Sequence, residues 1–162
     1  MGVREDRVYN FNRPVEKGWL SVWRSISVHV FTYGSLMFPE VWERVVKERY
    51  RSQSARIFGM RSFAVLDELY PAAVQGVVED RLEGIVYLNV EERDLLSLDR
   101  FEGEQYVRKS VVAETEDGES LSVQVYEFKS EYHSLLDTSE WDAERFRSES
   151  LVEFLRREQD GF

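Results

Sequence analysis

Between residues 55 and 88, four strand-like runs follow one another too closely for a helix to fit between them. They are Ala55–Phe58, Phe63–Leu66, Val74–Glu79 and Gly84–Leu88, punctuated by Gly59, Tyr70-Pro71, Gly76 and Gly84. A doubly wound parallel sheet needs a helical crossover at most strand connections, and this stretch has no room for them. Further strands are predicted at Val28–Tyr33, and at Tyr106–Glu114 and Leu121–Phe128 around the hairpin signal Glu116-Asp117-Gly118-Glu119. Only three helices accompany them. The first opens near Pro39 and carries Val41, Trp42, Val45 and Val46 on one face. The second spans Glu91–Phe101, with acidic residues in its first turn and Gly103 just past its end. The third starts near Ser139, whose spacing to Asp142 suits a capping arrangement, and buries Phe146, Leu151, Phe154 and Leu155. The expected class is α+β, a small mixed β-barrel flanked by helices.

Residues 1–27 read differently. They hold five cations against three acids, while the whole chain carries −10, and Pro14 and Gly18 break any periodicity. An N-terminal extension over 1–27, anchored by Trp19 and Trp23, and one domain over 28–162 are therefore expected. At 162 residues and 43% hydrophobic content, the chain is long and apolar enough for one self-sufficient core.

Charge and residue inventory narrow the function. A charge of −10 argues against coating nucleic acid or an anionic membrane, since either needs a cationic face. No run approaches the roughly 20 apolar residues of a membrane span. The absence of cysteine removes thiol nucleophiles, thiolate metal sites and disulfides together. His29 and His133 are the only histidines, so no multi-histidine metal site can form. The N-terminus lacks the apolar run of a signal peptide, and the expected location is the cytoplasm.

Two places could carry chemistry. Tyr33-Gly34-Ser35-Leu36 sits at a strand-to-helix turn, where successive N–H groups can cup an anion or a polarised carbonyl. An ordinary strand-end turn fits the same four residues. Glu102 follows Leu95 and Leu98 at i, i+3 and i+7, so all three share one helical face. Burial and the C-terminal end of the helix dipole both raise a carboxylate's proton affinity there, as an acid/base near neutral pH requires. A solvated terminal glutamate, or one paired with Arg108, fits equally. His29 could face the same pocket by alternation with Phe31 and Tyr33, and Asp99 with Glu102 could form a carboxylate pair. Ser35 has no identifiable base nearby, so no Ser-His-Asp triad can be built.

Taken together, Val30-Phe31-Thr32-Tyr33-Gly34-Ser35-Leu36 and Leu98-Asp99-Arg100-Phe101-Glu102-Gly103, with Tyr106-Val107-Arg108, resemble the γ-glutamylcyclotransferase-like superfamily. Plant avirulence-induced proteins and their bacterial relatives belong to it. Tyr70-Pro71-Ala72 and Gly84-Ile85-Val86-Tyr87 resemble its middle strands, and the likeness covers roughly residues 28–128. The resemblance implies a mixed barrel with a pocket between the glycine turn and the glutamate. It implies Glu102 as acid/base, and Tyr33, Gly34, Ser35, Leu36 and Tyr106 as substrate-binding residues. The implied substrate is a small γ-glutamyl amine or peptide, whose own α-amine closes onto the γ-carbonyl to give 5-oxoproline. That reaction needs no metal and no cofactor. The further glycine- and arginine-containing motifs of the glutathione-degrading branch are not found here, so glutathione is not the expected substrate. The competing function is a non-catalytic module binding a small ligand in the same pocket.

Overall fold

A computed structural model describes residues 26–159; the expected extension and its Trp19 and Trp23 lie outside the described residues, apart from positions 26 and 27. Seven strands form one sheet: β1 (Ser27–Thr32), β2 (Ser52–Phe58), β3 (Met60–Ala64), β4 (Pro71–Gln75), β5 (Arg81–Glu91), β6 (Tyr106–Thr115) and β7 (Ser120–Phe128). Their order is β1-β5-β2-β6-β7-β4-β3, and β1 also pairs with β7. That extra pairing closes five strands into a ring. It is parallel, His29 opposite Val123 and Phe31 opposite Val125, whereas the other ring contacts are antiparallel. The β3–β4 hairpin hangs from the ring through one parallel contact, Ala73 opposite Glu127.

Alternation along β1 explains how the ring is filled. Phe31 and Tyr33 belong to an inner cluster with Ile57, Met60, Val86, Val123 and Val125. Val30 points the other way, into a second cluster shared with the helices. Helix α1 (Pro39–Val45) buries Val41 and Trp42, and helix α2 (Glu92–Glu102) buries Leu95 and Leu98. Trp42 stacks on Tyr87 of β5, ring centroids 3.6 Å apart and nearly parallel. The tail comprises a short α3 (Ala143–Arg145), a π-turn over Phe146–Ser150, and α4 (Leu151–Gln159). Among the described residues, no helix is long and apolar enough to cross a membrane.

The predicted α+β class and the curled sheet are therefore present. Two local expectations are corrected. The run Val74–Glu79 is strand only to Gln75, and Val77 and Val78 stand exposed in a turn. Asp80 sets that turn by accepting from the Val77 N–H through its carboxylate (2.9 Å) while donating its own N–H to the Val77 carbonyl (3.0 Å). The local turn thus overrides the β propensity of two valines. In the tail, Asp142 rather than Ser139 caps the helix, accepting from the Arg145 N–H at 3.0 Å.

Candidate active site

The ring and helices leave a cavity of about 260 Å³ where the end of β1 meets the end of α2. Tyr33, Gly34, Ser35, Leu36, Glu102 and Tyr106 all line it. All six residues predicted for the site are thus brought together, although 66 positions separate Leu36 from Glu102.

The turn after β1 leaves its amides open. A single 3₁₀ turn (Ser35–Met37) uses the Gly34 carbonyl to accept from Met37 and the Ser35 carbonyl to accept from Phe38. Among the described residues, no backbone carbonyl accepts from the N–H of Gly34, Ser35 or Leu36. Those three donors at the cavity wall can hold an anionic or polarised oxygen. Tyr87 braces the turn by donating from its hydroxyl to the Leu36 carbonyl (3.3 Å). Glycine at 34 is demanded by space rather than by backbone angle. Its φ is −129°, but an added Cβ would lie 2.7 Å from Cγ of Pro71.

At the other wall, Gly103 (φ 76°) ends α2, leaving Glu102 in the last turn. Burial, then the nearby negative charge of Asp99, pushes the Glu102 carboxyl up to about 8 from the usual 4.5. Arg108, a conceivable partner for Glu102, is committed elsewhere. Its Nε and Nη2 grip Asp99 at 2.8 and 3.1 Å, and Tyr126 donates from its hydroxyl to the same carboxylate at 2.7 Å. Among the described residues, Glu102 joins no ion pair, so nothing counters the cost of its charge. Such a carboxyl can take and return a proton near neutral pH.

The two predicted tyrosines take part differently from what their chemistry suggests. Tyr33 donates to the Tyr126 carbonyl (2.6 Å) and accepts from the Ala73 N–H (3.2 Å). Tyr106 donates to the Pro71 carbonyl at 2.7 Å. Both hydroxyls are thus spent on the backbone, and burial holds both phenols well above their usual range. The histidines stay outside: His29 accepts from the Asn89 N–H, and His133 lies against Phe128. Asp99 is an ion-paired support for Arg108 and Tyr126, which leaves the paired-carboxylate reading without a second proton carrier. Among the described residues, no cluster of three or more His, Asp or Glu could hold a metal.

Other lining residues were not assigned to the site from the sequence, among them Tyr70, Tyr126 and three near Glu102 and in the tail. Phe101 adjoins Glu102, while Phe154 and Glu158 come from α4 and complete the wall. The four-residue step from buried Phe154 to Glu158 puts both on one helical face, a signal present in the sequence.

Comparison with known proteins supports the same grouping. The sequence profile of the family described as "Gamma-glutamyl cyclotransferase, AIG2-like" matches residues 30–143. AIG2-like protein C of Arabidopsis thaliana is 31% identical over 127 residues, covering 78% of this chain and 73% of that protein. A solution structure of another Arabidopsis thaliana protein superposes with a TM-score of 0.62 at 26% identity, over 80% of this chain and 87% of that one. A structure named Gamma-glutamyl cyclotransferase shares the fold, with a TM-score of 0.58 at 17% identity over 81% of this chain and 99% of that one.

Proposed function

We propose that this chain, which belongs to the gamma-glutamyl cyclotransferase, AIG2-like family, cyclises the γ-glutamyl group of a small γ-glutamyl amine or peptide to 5-oxoproline. The observation that carries this reading is that Glu102, its proton affinity raised towards neutral pH, shares one cavity with the open amides of Gly34, Ser35 and Leu36.

The chemistry follows from those groups. The ionised Glu102 takes a proton from the substrate's α-ammonium, freeing the amine. That nitrogen attacks the γ-carbonyl carbon, forming the C–N bond of the five-membered lactam. Negative charge develops on the carbonyl oxygen, where the N–H groups of residues 34–36 receive it. One such donor is commonly worth a factor of about 10² to 10³ in rate. Glu102 returns the proton to the leaving nitrogen, the original amide C–N bond breaks, and a neutral amine departs. The ring nitrogen gives up its second proton to the re-ionised Glu102, which passes it to the departed amine or to solvent, leaving a neutral lactam. The aromatic faces of Tyr33 and Tyr106 hold the substrate chain near its attacking geometry. Every bond made or broken belongs to the substrate, so the protein needs to supply only position, dipoles and a proton carrier.

Assay of γ-glutamyl dipeptides and γ-glutamyl amines for 5-oxoproline release, with Glu102→Gln as control, tests the reading. Release that disappears in the variant supports it. Ligand binding without release by the parent protein would instead identify a non-catalytic binding module.

A further inference from the structure

Helix α4 lies beyond the last residue matched by the family profile, yet it forms part of the cavity wall. Three contacts hold it in place. Phe154 packs edge-on against Phe101 of α2 and against Phe146, with centroid separations of 6.3 and 5.5 Å. Arg44 of α1 donates from Nη1 to the Leu155 carbonyl at 2.8 Å. One turn past Phe154, Glu158 reaches the same cavity as Glu102. Burial there pushes the Glu158 carboxyl above its ordinary value.

A γ-glutamyl group brings one cation, its α-ammonium, together with an α-carboxylate and the γ-carbonyl oxygen. Its α-ammonium matches Glu102, and its carbonyl oxygen matches the amides of the glycine turn. Glu158 is a second carboxylate for which that group offers no further cation. Among the described residues, no lysine or arginine lines the cavity. Tyr70, Tyr106, Phe101 and Phe154 present aromatic rings instead, whose faces favour cations. The chain's charge of −10 draws cations in the same direction.

We propose that Glu158 is a specificity-determining residue that selects γ-glutamyl amides whose leaving amine carries a second, positively charged nitrogen, as in the monoamide of a short diamine. The proposal rests on the cyclotransferase reading above. Glu158 takes no part in bond making; it holds the far end of the leaving group.

The test compares three γ-glutamyl amides of matched length: those of 1,4-diaminobutane (cationic), pentylamine (neutral) and 5-aminopentanoic acid (anionic). In the parent protein, kcat/KM should favour the cationic over the neutral amide by about fivefold or more, the upper end for a partly screened ion pair. In Glu158→Gln the ratio should fall to near one, chiefly through KM. In Glu158→Lys the preference should pass to the anionic amide, a reversal that loss of packing alone would not produce. An unchanged ratio in Glu158→Gln overturns the proposal. Calorimetric binding to Glu102→Gln, with and without Glu158→Gln, gives a readout independent of turnover. A binding preference that needs Glu158, without turnover of any amide by the parent, overturns the cyclotransferase reading and leaves charge selection standing. Turnover by the parent with a ratio near one does the opposite. Failure of all three amides to bind overturns both.

Discussion

The two ends of helix α2 carry acids of the same chemistry with opposite fates. Asp94, in the first turn, is fully buried. Burial opposes its charge, yet it is held below its ordinary 3.8 by the Tyr50 hydroxyl (2.7 Å), the N–H groups of Lys47 and Glu48 (3.0 and 3.1 Å) and the charge of Arg93. Glu102, in the last turn, is less enclosed, yet its carboxyl is pushed up to about 8. The helix dipole favours negative charge at the first end and opposes it at the second. Burial alone therefore does not decide ionisation; the supply of donors does. Asp94 spends its donors on joining α2 to the link between α1 and β2. Glu102 has none from the described residues, and the proposed mechanism therefore uses it as the proton carrier.

The largest effect should come from Glu102. In Glu102→Gln, 5-oxoproline release should fall by about 10² to 10⁴, the usual loss on removing a general acid/base, while circular dichroism stays unchanged. Glutamine keeps the shape but cannot carry the proton. Near-parental release would place the proton relay elsewhere and undo the contrast.

Next is the structural acid. Asp94→Ala leaves two backbone N–H groups and the Tyr50 hydroxyl without their shared acceptor. Denaturant unfolding should register a loss of about 3 kcal/mol, since hydrogen bonds to a charged group are among the stronger ones. Activity per folded molecule should hold, because Asp94 does not line the cavity.

A smaller effect separates the two acids by the sign of their pH dependence. Asp94 binds its proton less tightly in the folded chain than in the unfolded one. Its contribution to stability is present above the ordinary 3.8 and is lost as the pH falls through its lower folded value. Glu102 binds its proton more tightly when folded. Between about 4.5 and 8 the unfolded chain therefore holds fewer protons, and stability from this group declines as pH rises. Glu102→Gln removes that slope. Its stability relative to the parent should grow across this window by about 1–2 kcal/mol, well below the full linkage value because the side chain is partly open to solvent. A stability difference that is flat from pH 4.5 to 8 would refute the raised affinity.

What could be read from the sequence divides along physical lines. The ring was legible because strand alternation and the crowding of residues 55–88 leave few other solutions. Glu102 was legible because i, i+3, i+7 spacing places it behind Leu95 and Leu98, and the turn at 33–36 because glycine follows a strand there. The exposed turn at Val77–Val78 was hidden, since β-branched residues indicate strand until Asp80's hydrogen bonds are known. The choice of Asp99 over Glu102 by Arg108 depends on how β6 leaves the helix, which no spacing records. The commitment of the Tyr33 and Tyr106 hydroxyls to distant carbonyls depends on ring closure. Glu158 was passed over because a terminal helical glutamate resembles any solvated one until the helix docks.

The smallest effect apportions Glu102's proton affinity between its two causes. Burial is the larger and Asp99 the second. Asp99→Asn removes the neighbouring negative charge while keeping an acceptor for the Tyr126 hydroxyl. It also frees Arg108, whose positive charge would then pull Glu102 in the same direction. The clean comparison is therefore the double variant Asp99→Asn/Arg108→Gln, which removes both members of the ion pair. Under the proposed mechanism, kcat/KM should rise with pH as Glu102 ionises, with its midpoint near 8 and a plateau above it. In the double variant this limb should move down by less than about one pH unit, because burial persists. In Asp99→Asn alone it should move further. A limb that falls to the ordinary carboxylate range in the double variant would mean that Asp99, rather than enclosure, sets the affinity. The two ends of α2 would then differ in their charged neighbours more than in their hydrogen-bond donors.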